Sequence, residues 1–197
     1  MKLPACRTPY ESRHSFIGGS EARIIMGSDE AALVRLWREK RGEAEPEDLS
    51  GNLIVQLGAA TEELNRSWYE RNTGRQVRDA QLQVRHSAIP WMAATLDGIV
   101  DGTEAVFEAK FMLPWSFSEE AAAEKYMAQL QHNMWVTHLR ASVLSIITGG
   151  GKWGGDHNSH GPALSQRAGL GGKEVLALRA IRRNAPPHQC RAAAAAH

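Results

Sequence analysis

Two carboxylates and a lysine near the middle of the chain have the residue types and spacing of a metal-dependent hydrolytic site. Asp97 precedes Glu108 by 11 residues, and Lys110 follows Glu108 by two. Side chains two apart on a strand share a face, and a tight turn at 101–103 would bring the two carboxylates together. Such a pair suits a hard cation, Mg²⁺ or Mn²⁺. A lysine beside it can orient or help deprotonate a water and offset charge at an attacked phosphate.

Acidic and basic residues two apart are also common on solvated sheet faces, and the spacing alone favours that simpler interpretation. The secondary-structure elements that would position these residues are therefore needed to choose between the two interpretations. Gly74 is a stop signal after a long helical segment, Asp101-Gly102 suit a tight hairpin turn, and Ser118 can cap a helix with two acidic residues in its first turn. The predicted elements are a helix from Ser28 or Asp29 to before Gly42, a helix over 52–72, strands over 76–86, 92–100 and 104–111, a helix over 118–138 and a strand over 143–148.

This order of elements predicts a mixed α/β or α+β domain. The helix over 52–72 also shows an apolar stripe with helical spacing, formed by Leu53, Leu57, Leu64 and Trp68.

Composition divides the chain into two unequal parts. The 197 residues carry 23 basic and 22 acidic side chains, a balance that argues against a polybasic nucleic-acid binder, and 43% hydrophobic residues suffice for one folded domain. Residues 1–153 hold 17 basic and 20 acidic side chains and every aromatic residue, whereas 154–197 hold 6 and 2 and no aromatic residue. We predict a domain over 1–153 and an atypical tail over 154–197.

The tail is predicted to be either disordered or the product of a frameshift. Its composition cannot build much core. Codons exist by which residues 171–185, displaced by one nucleotide, would encode an amphipathic segment that contains an aromatic residue. Sequencing the gene through the codon for Trp153 tests the frameshift, because an uninterrupted frame shared with close relatives would contradict it.

The cysteines and the hydropathy pattern indicate a cytoplasmic protein. Cys6 and Cys190 lie at opposite ends of the chain and form neither a disulfide framework nor a metal knuckle. No segment approaches the roughly 18 to 20 apolar residues that span a bilayer, and the N-terminus lacks the apolar region of a secretory signal. Export and membrane insertion are therefore not expected.

Several motifs occur in a family's order between Arg13 and Lys152, and they are more specific than the carboxylate spacing alone. They are RHSFIGGSEA, LGAATEELN, TLDGIV, FEAK and YMAQLQHNMWV. The chain thereby resembles the PD-(D/E)XK nuclease superfamily, and within it the YqaJ-like viral recombinases and the λ-type phage exonucleases. The resemblance implies an α/β (α+β) fold with a restriction-endonuclease-like core, in which helices flank a central mixed sheet that includes a β-meander.

The resemblance also implies a set of site residues. It assigns catalytic roles to Glu62, Asp97, Glu108, Lys110 and Gln129, and metal binding to Asp97, Glu108 and the backbone carbonyl of Ala109. Glu62 is preferred to Glu63, which lies about 100° further around the helix. Tyr126, three residues before Gln129, is expected to support Lys110 or the substrate, with core packing as the alternative. His132 and His138 are left out of the metal set.

A second group resembles the residues with which λ-type exonucleases hold a 5′-terminal phosphate. The group is Arg13, Ser20 and Thr95, where Thr95 departs from an expected serine but keeps the hydroxyl. An arginine fork, hydroxyls and the backbone N–H groups of Gly18-Gly19-Ser20 at a helix start would form an anion site. Without the resemblance these glycines indicate only a loop and a helix cap.

The implied function is a Mg²⁺-dependent or Mn²⁺-dependent deoxyribonuclease of phage or prophage recombination, degrading duplex DNA ends in the 5′-to-3′ direction. The family further implies a homotrimer and a phage single-strand annealing protein as partner. Two alternatives are kept: a catalytically impaired prophage remnant that binds DNA, and an endonuclease on the same fold.

Overall fold

A five-stranded mixed sheet forms the centre of the molecule, with a two-stranded sheet beside it. The structure is a computed structural model that describes residues 13–154. The predicted tail therefore lies outside the described residues, apart from Gly154. The helices are α1 (Gly19–Met26), α2 (Glu30–Lys40), α3 (Leu53–Thr73) and α4 (Glu119–Thr137), and the strands are β1 (Val77–Arg78), β2 (Leu82–Arg85), β3 (Ala93–Leu96), β4 (Gly98–Val100), β5 (Ala105–Met112), β6 (Ala141–Thr148) and β7 (Trp153–Gly154).

The three longer helices begin and end at the residues that the sequence signals indicate. The side chains of Asp29, Asn52 and Ser118 each accept a hydrogen bond from a backbone N–H in the first turn of α2, α3 and α4. Gly74 ends α3 in the left-handed conformation, with φ of 70°. The predicted boundaries of these helices agree closely with the observed ones.

The five-stranded sheet has the order β1-β4-β5-β6-β7. Strands β4 and β5 form the predicted antiparallel hairpin, with Gly98 opposite Phe107. Strand β6 pairs with β5 in parallel, and α4 provides the crossover between them. This mixed sheet with flanking helices confirms the predicted fold class.

Two of the predicted strands are each divided into two shorter ones. The segment over 76–86 is broken between β1 and β2, where Asp79 and Gln81 adopt φ of 57° and 58°. The segment over 92–100 is broken at Asp97, so that β3 pairs with β2 and β4 pairs with β1. Gly98 permits this second break, because a Cβ there would lie 2.2 Å from Cγ1 of Val77. The division turns Asp97 out of the ladder and toward β5.

Alternate residues of β5 face different helices. Phe107 and Ala109 pack with Tyr69 of α3, whereas Met112 packs with Tyr126 and Leu130 of α4. Glu108, between Phe107 and Ala109, therefore faces α4 from a fully buried position. The core around β5 thus places a carboxylate beneath a helix that carries polar side chains.

The apolar stripe of α3 lies on the exposed side of the helix. Its members Leu53, Leu57, Leu64 and Trp68 are 71%, 36%, 54% and 39% exposed. The side that meets the sheet instead buries Asn65 and Tyr69. No helix within 13–154 is long and apolar enough to cross a membrane.

Candidate active site

Asp97 and Glu108 lie side by side, as the hairpin predicts. The pairing of Gly98 with Phe107, continued by one residue, places Asp97 opposite Glu108. Oδ2 of Asp97 accepts a hydrogen bond of 2.8 Å from the backbone N–H of Ala109, which holds the carboxylate across the end of the strand. The hairpin register and this backbone contact together bring the two carboxylates to one site.

The surroundings of Asp97 disfavour its ionised form. Burial, followed by the charge of Glu108, raises the pKa of Asp97 from 3.8 to about 7, and Glu62 adds to the rise. The charge of Lys110 and the N–H of Ala109 act in the opposite direction but do not cancel it. A divalent cation bound beside Asp97 and Glu108 would stabilise the ionised form of Asp97.

Glu108 is held by three donors on two elements. Its Oε1 accepts hydrogen bonds of 2.5 Å from Nζ of Lys110 and 2.5 Å from Nε2 of Gln129. Its Oε2 accepts a hydrogen bond of 2.9 Å from Nδ2 of Asn133. Because the donors come from β5 and from two successive turns of α4, the orientation of this carboxylate is set by how the helix packs on the sheet.

Lys110 is a cation at neutral pH. Burial lowers its pKa, but the charges of Glu108 and Asp97 and the hydrogen bond from Lys110 to Glu108 outweigh that effect, so the pKa lies above its ordinary value. Its backbone carbonyl accepts a hydrogen bond of 3.2 Å from Nδ2 of Asn65 on α3. The lysine therefore offers a fixed positive charge at the site.

Tyr126 is buried beside this charge. Its ring centroid lies 5.6 Å from Nζ of Lys110, 5.8 Å from Cζ of Arg23 and 5.3 Å from Nζ of Lys125. It also packs in the core cluster with Met112. Both alternatives for Tyr126, support of Lys110 and core packing, thus describe contacts that the side chain makes.

Glu62 lies at the side of the site. It is half-buried on α3, and its Oε1 accepts a hydrogen bond of 2.5 Å from Nε2 of Gln81, whereas Glu63 is exposed. The backbone N–H of Gln81 in turn donates to the carbonyl of Leu96, next to Asp97. Gln81 thus ties Glu62 to the strand end that carries Asp97.

The proposed phosphate-binding residues lie on neighbouring segments. Ile17 forms a parallel bridge with Met92, and Ser20 and Thr95 each follow that bridge by three residues. Both are exposed. Arg13 begins a short 3-10 helix, but its side chain lies outside the described residues.

The histidines make structural contacts. Nε2 of His132 donates to the carbonyl of Ala93 over 2.9 Å, and burial lowers the pKa of His132. His138 is the C-cap of α4 and contacts Ser87. Within 13–154, no group of three or more His, Cys, Asp or Glu side chains could hold a metal ion by itself. The ligand set that these residues offer is therefore two carboxylates, completed by a backbone carbonyl, water or phosphate.

Three residues that contact the site are not among the site residues predicted from the sequence: Asn65, Gln81 and Asn133. Asn133 follows Gln129 by four residues, and Asn65 follows Glu62 by three, so helical spacing alone could have nominated both. Gln81 had no such signal, because it reaches Glu62 only through the left-handed turn between β1 and β2.

Comparisons with known proteins identify related sequences and folds. The family model of the YqaJ-like viral recombinase domain matches residues 10–140. The uncharacterized protein YqaJ of Bacillus subtilis (strain 168) is 28% identical over 147 residues, which cover 72% of this chain and 46% of that protein. The chain therefore spans about half the length of this curated relative.

Two solved structures share the fold. The alkaline exonuclease LHK-Exo of Laribacter hongkongensis matches with a TM-score of 0.67 and 16% identity, over 92% of this chain and 95% of that one. A phage-related exonuclease of Haemophilus somnus 129PT matches with a TM-score of 0.60 and 14% identity, over 86% and 91%. At these identities the likeness describes the fold.

Proposed function

This chain belongs to the YqaJ-like viral recombinase domain family, and from that premise we propose that it is a metal-dependent deoxyribonuclease of phage or prophage recombination. The observation that carries the proposal is the pairing of half-buried Asp97 with fully buried Glu108, to which Lys110 is hydrogen-bonded. The exonuclease names of the two structures with the same fold support the same class of activity.

The residues present fit a Mg²⁺ or Mn²⁺ ion. The raised pKa of Asp97 shows that burial, and then the charge of Glu108, disfavour its ionised form, which a cation would stabilise. The oxygen atoms of these carboxylates are the hard ligands that Mg²⁺ and Mn²⁺ prefer. Asp97, Glu108 and the carbonyl of Ala109 would hold the ion. A bound ion would supply an activated water and neutralise charge on the attacked phosphate.

The remaining side chains of the site position the carboxylates and stabilise charge on the phosphate. The ammonium of Lys110 offsets the negative charge that develops on the phosphate oxygens. Gln129 keeps Oε1 of Glu108 in place, and Gln81 keeps Glu62 beside Asp97. Because these groups sit on packed strands and helices, their geometry is established before DNA arrives.

We further propose that the substrate is a duplex DNA end, degraded from 5′ to 3′. The start of α1 places the backbone N–H groups of Gly19 and Ser20 and the hydroxyl of Ser20 on the segment that is bridged to Met92, just before β3, whereas the N–H of Gly18 donates to Glu21. A terminal phosphate carries more negative charge than an internal one, so this position favours ends. A homotrimer and a phage single-strand annealing protein as partner are proposed on family resemblance.

Linear and circular duplex DNA of the same sequence test this function. With Mg²⁺ and the full chain, we expect linear DNA to be lost progressively from its ends, while covalently closed circles persist. Nicking of the circles would instead favour the endonuclease. A folded protein that binds DNA and leaves both forms intact would favour the impaired remnant. Nicking of the circles or binding without cleavage would each contradict the proposal that the protein is an exonuclease.

Arg13→Ala tests recognition of the terminal phosphate. We expect the preference for 5′-phosphate over 5′-hydroxyl ends to fall by about 10- to 100-fold, because a charge-assisted hydrogen bond contributes on the order of 1.5–3 kcal/mol. The measurement is the ratio of initial rates on matched duplexes with the two ends. Arg35→Ala, which removes an exposed arginine paired with Glu47, is the control. An unchanged ratio in Arg13→Ala would contradict the assignment.

A further inference from the structure

The second oxygen of Glu108 is held by Asn133, a residue for which neither the motifs nor the proposed mechanism has a role. Nδ2 of Asn133 donates to Oε2 of Glu108 over 2.9 Å, and Asn133 is only 1% exposed. A carboxylate only accepts hydrogen bonds, so this contact determines which way the amide of Asn133 is turned. The amide oxygen, Oδ1, must then point away from Glu108.

That amide oxygen has no hydrogen-bond partner among the described residues, although it is buried. An unsatisfied buried carbonyl is destabilising, so a different orientation of the amide would be expected if Asn133 served only to pack the core. The orientation observed satisfies Glu108 at the expense of Asn133. This arrangement points to Glu108 as the reason for the side chain's position.

Gly19, the first residue of α1, leaves the space that this orientation requires. A Cβ at Gly19 would lie 2.4 Å from Oδ1 of Asn133 and 3.1 Å from Cγ of Gln129. Gly19 is not among the residues with positive φ, so the backbone there would accept alanine. Only the close approach of α1 to α4 excludes a side chain. The group that such a Cβ would displace is the amide of Asn133, which holds Glu108 from α4, because the 3.1 Å approach to Gln129 requires that side chain to shift by only a few tenths of an ångström.

We infer that Asn133 is a positioning residue that holds Oε2 of Glu108 for metal binding, and that Gly19 is required so that Asn133 can reach it. This inference rests on the proposed function, since it assigns a metal to Glu108. Partners that orient a metal ligand from outside the coordination sphere commonly change metal affinity about 10- to 100-fold when they are removed. Asn133 acts through Glu108 and does not touch the substrate.

The test compares Asn133→Ala, Gly19→Ala and the double variant with the unmodified protein. Calorimetric titration with Mn²⁺ alone measures metal affinity without any turnover. We expect each single variant to bind Mn²⁺ at least about tenfold more weakly, and to lower kcat on linear duplex DNA while KM changes less than about twofold. Because Gly19 acts through Asn133, the double variant should lose no more affinity than Asn133→Ala alone.

Ser142→Ala is the matched control. Ser142 is fully buried on β6, its hydroxyl also has no hydrogen-bond partner among the described residues, and it pairs with Val106 rather than with a site residue. The Mn²⁺ affinity of Ser142→Ala should equal that of the unmodified protein. Asn133→Ser replaces Asn133→Ala if the larger truncation prevents folding, as judged by the thermal midpoint.

Unchanged Mn²⁺ affinity in folded Asn133→Ala or Asn133→Ser protein would overturn the inference, as would additive losses in the double variant. An equal loss in Ser142→Ala would overturn it too, because it would show that any change in the core has the same effect. If the unmodified protein binds Mn²⁺ but does not cut DNA, the proposed function fails and the affinities still decide the role of Asn133. If it binds no Mn²⁺, both fail.

Discussion

Replacing Lys110 with alanine is expected to lower the rate of DNA cleavage by about a thousandfold or more. Removal of one preorganised group that stabilises transition-state charge costs on the order of 100- to 1,000-fold, and here the lysine also balances the carboxylates of Asp97 and Glu108. The measurement is the initial rate on linear duplex DNA with Mg²⁺, together with the circular dichroism spectrum. Cleavage is expected to be lost while the secondary structure is kept.

The matched control for this experiment is Lys125→Ala. Both lysines lie over the ring of Tyr126, at 5.6 Å and 5.3 Å, but Lys125 is exposed on α4 and is not bonded to Glu108. It should keep nearly full activity. Lys110→Met, which keeps an unbranched side chain of similar length without the charge, separates loss of charge from loss of packing. Cleavage by purified Lys110→Ala protein in metal-free buffer would refute the mechanism.

Replacing Asp97 with asparagine is expected to have opposite effects on activity and on stability. The rate should fall by a factor on the order of 1,000, because a metal ligand contributes several kcal/mol of charge stabilisation in the transition state. The metal-free variant should nevertheless unfold at a higher temperature than the unmodified protein at pH 8. The asparagine can still accept the hydrogen bond from Ala109, but it adds no charge beside Glu108.

The sign of the stability effect follows from the raised pKa of Asp97. In the folded, metal-free protein the pKa is about 7, whereas the unfolded value is near 3.8. Between these values the folded state holds a proton that the unfolded state has lost, so stability decreases as the pH rises from about 4 to 7. Above pH 7 the folded carboxylate is ionised and the full penalty applies. The difference in stability between Asp97→Asn and the unmodified protein is therefore largest at pH 8 and decreases toward pH 4.

Thermal unfolding at these two pH values, with and without Mg²⁺, measures the effect. Each kcal/mol moves the midpoint by roughly 2–4 °C in a chain of this size, so we expect a difference of several degrees at pH 8. Mg²⁺ should raise the midpoint of the unmodified protein and not that of Asp97→Asn. Asp48→Asn, in an exposed loop where asparagine can also accept from Ser50, is the control. Equal midpoints for the two proteins at pH 8 would contradict the proposed electrostatics.

The parts of the fold that follow from neighbouring residues were predictable. Caps at Asn52 and Ser118 and the stop at Gly74 define helix ends because they satisfy backbone groups within one turn. The approach of Asp97 to Glu108 was equally local, since a hairpin with a short turn and a period of two determines its own register. These interactions need no partner beyond about a dozen residues.

The division of the strands was harder to predict. The breaks at residues 79–81 and at Asp97 depend on which sheet each half joins, and the apolar pattern of these segments is compatible with continuous strands. Gly98 is explained only by its close approach to Val77, a residue on another strand. The paired residues of β1 and β4 lie more than 20 positions apart, so neighbouring residues do not indicate that these two strands pair.

The fold class, the helix ends and the hairpin that joins Asp97, Glu108 and Lys110 could be predicted from the amino-acid sequence, and the family resemblance added Glu62 and Gln129. The further helix side chains that reach this hairpin became known only from the folded structure. Asn65 contacts the carbonyls of Lys110 and Ser145, and Asn133 joins Gln129 on Glu108. The exposed stripe of α3 shows why: the rotation of a helix about its own axis is set by all of its packing contacts together, including polar ones, and not by its apolar pattern alone.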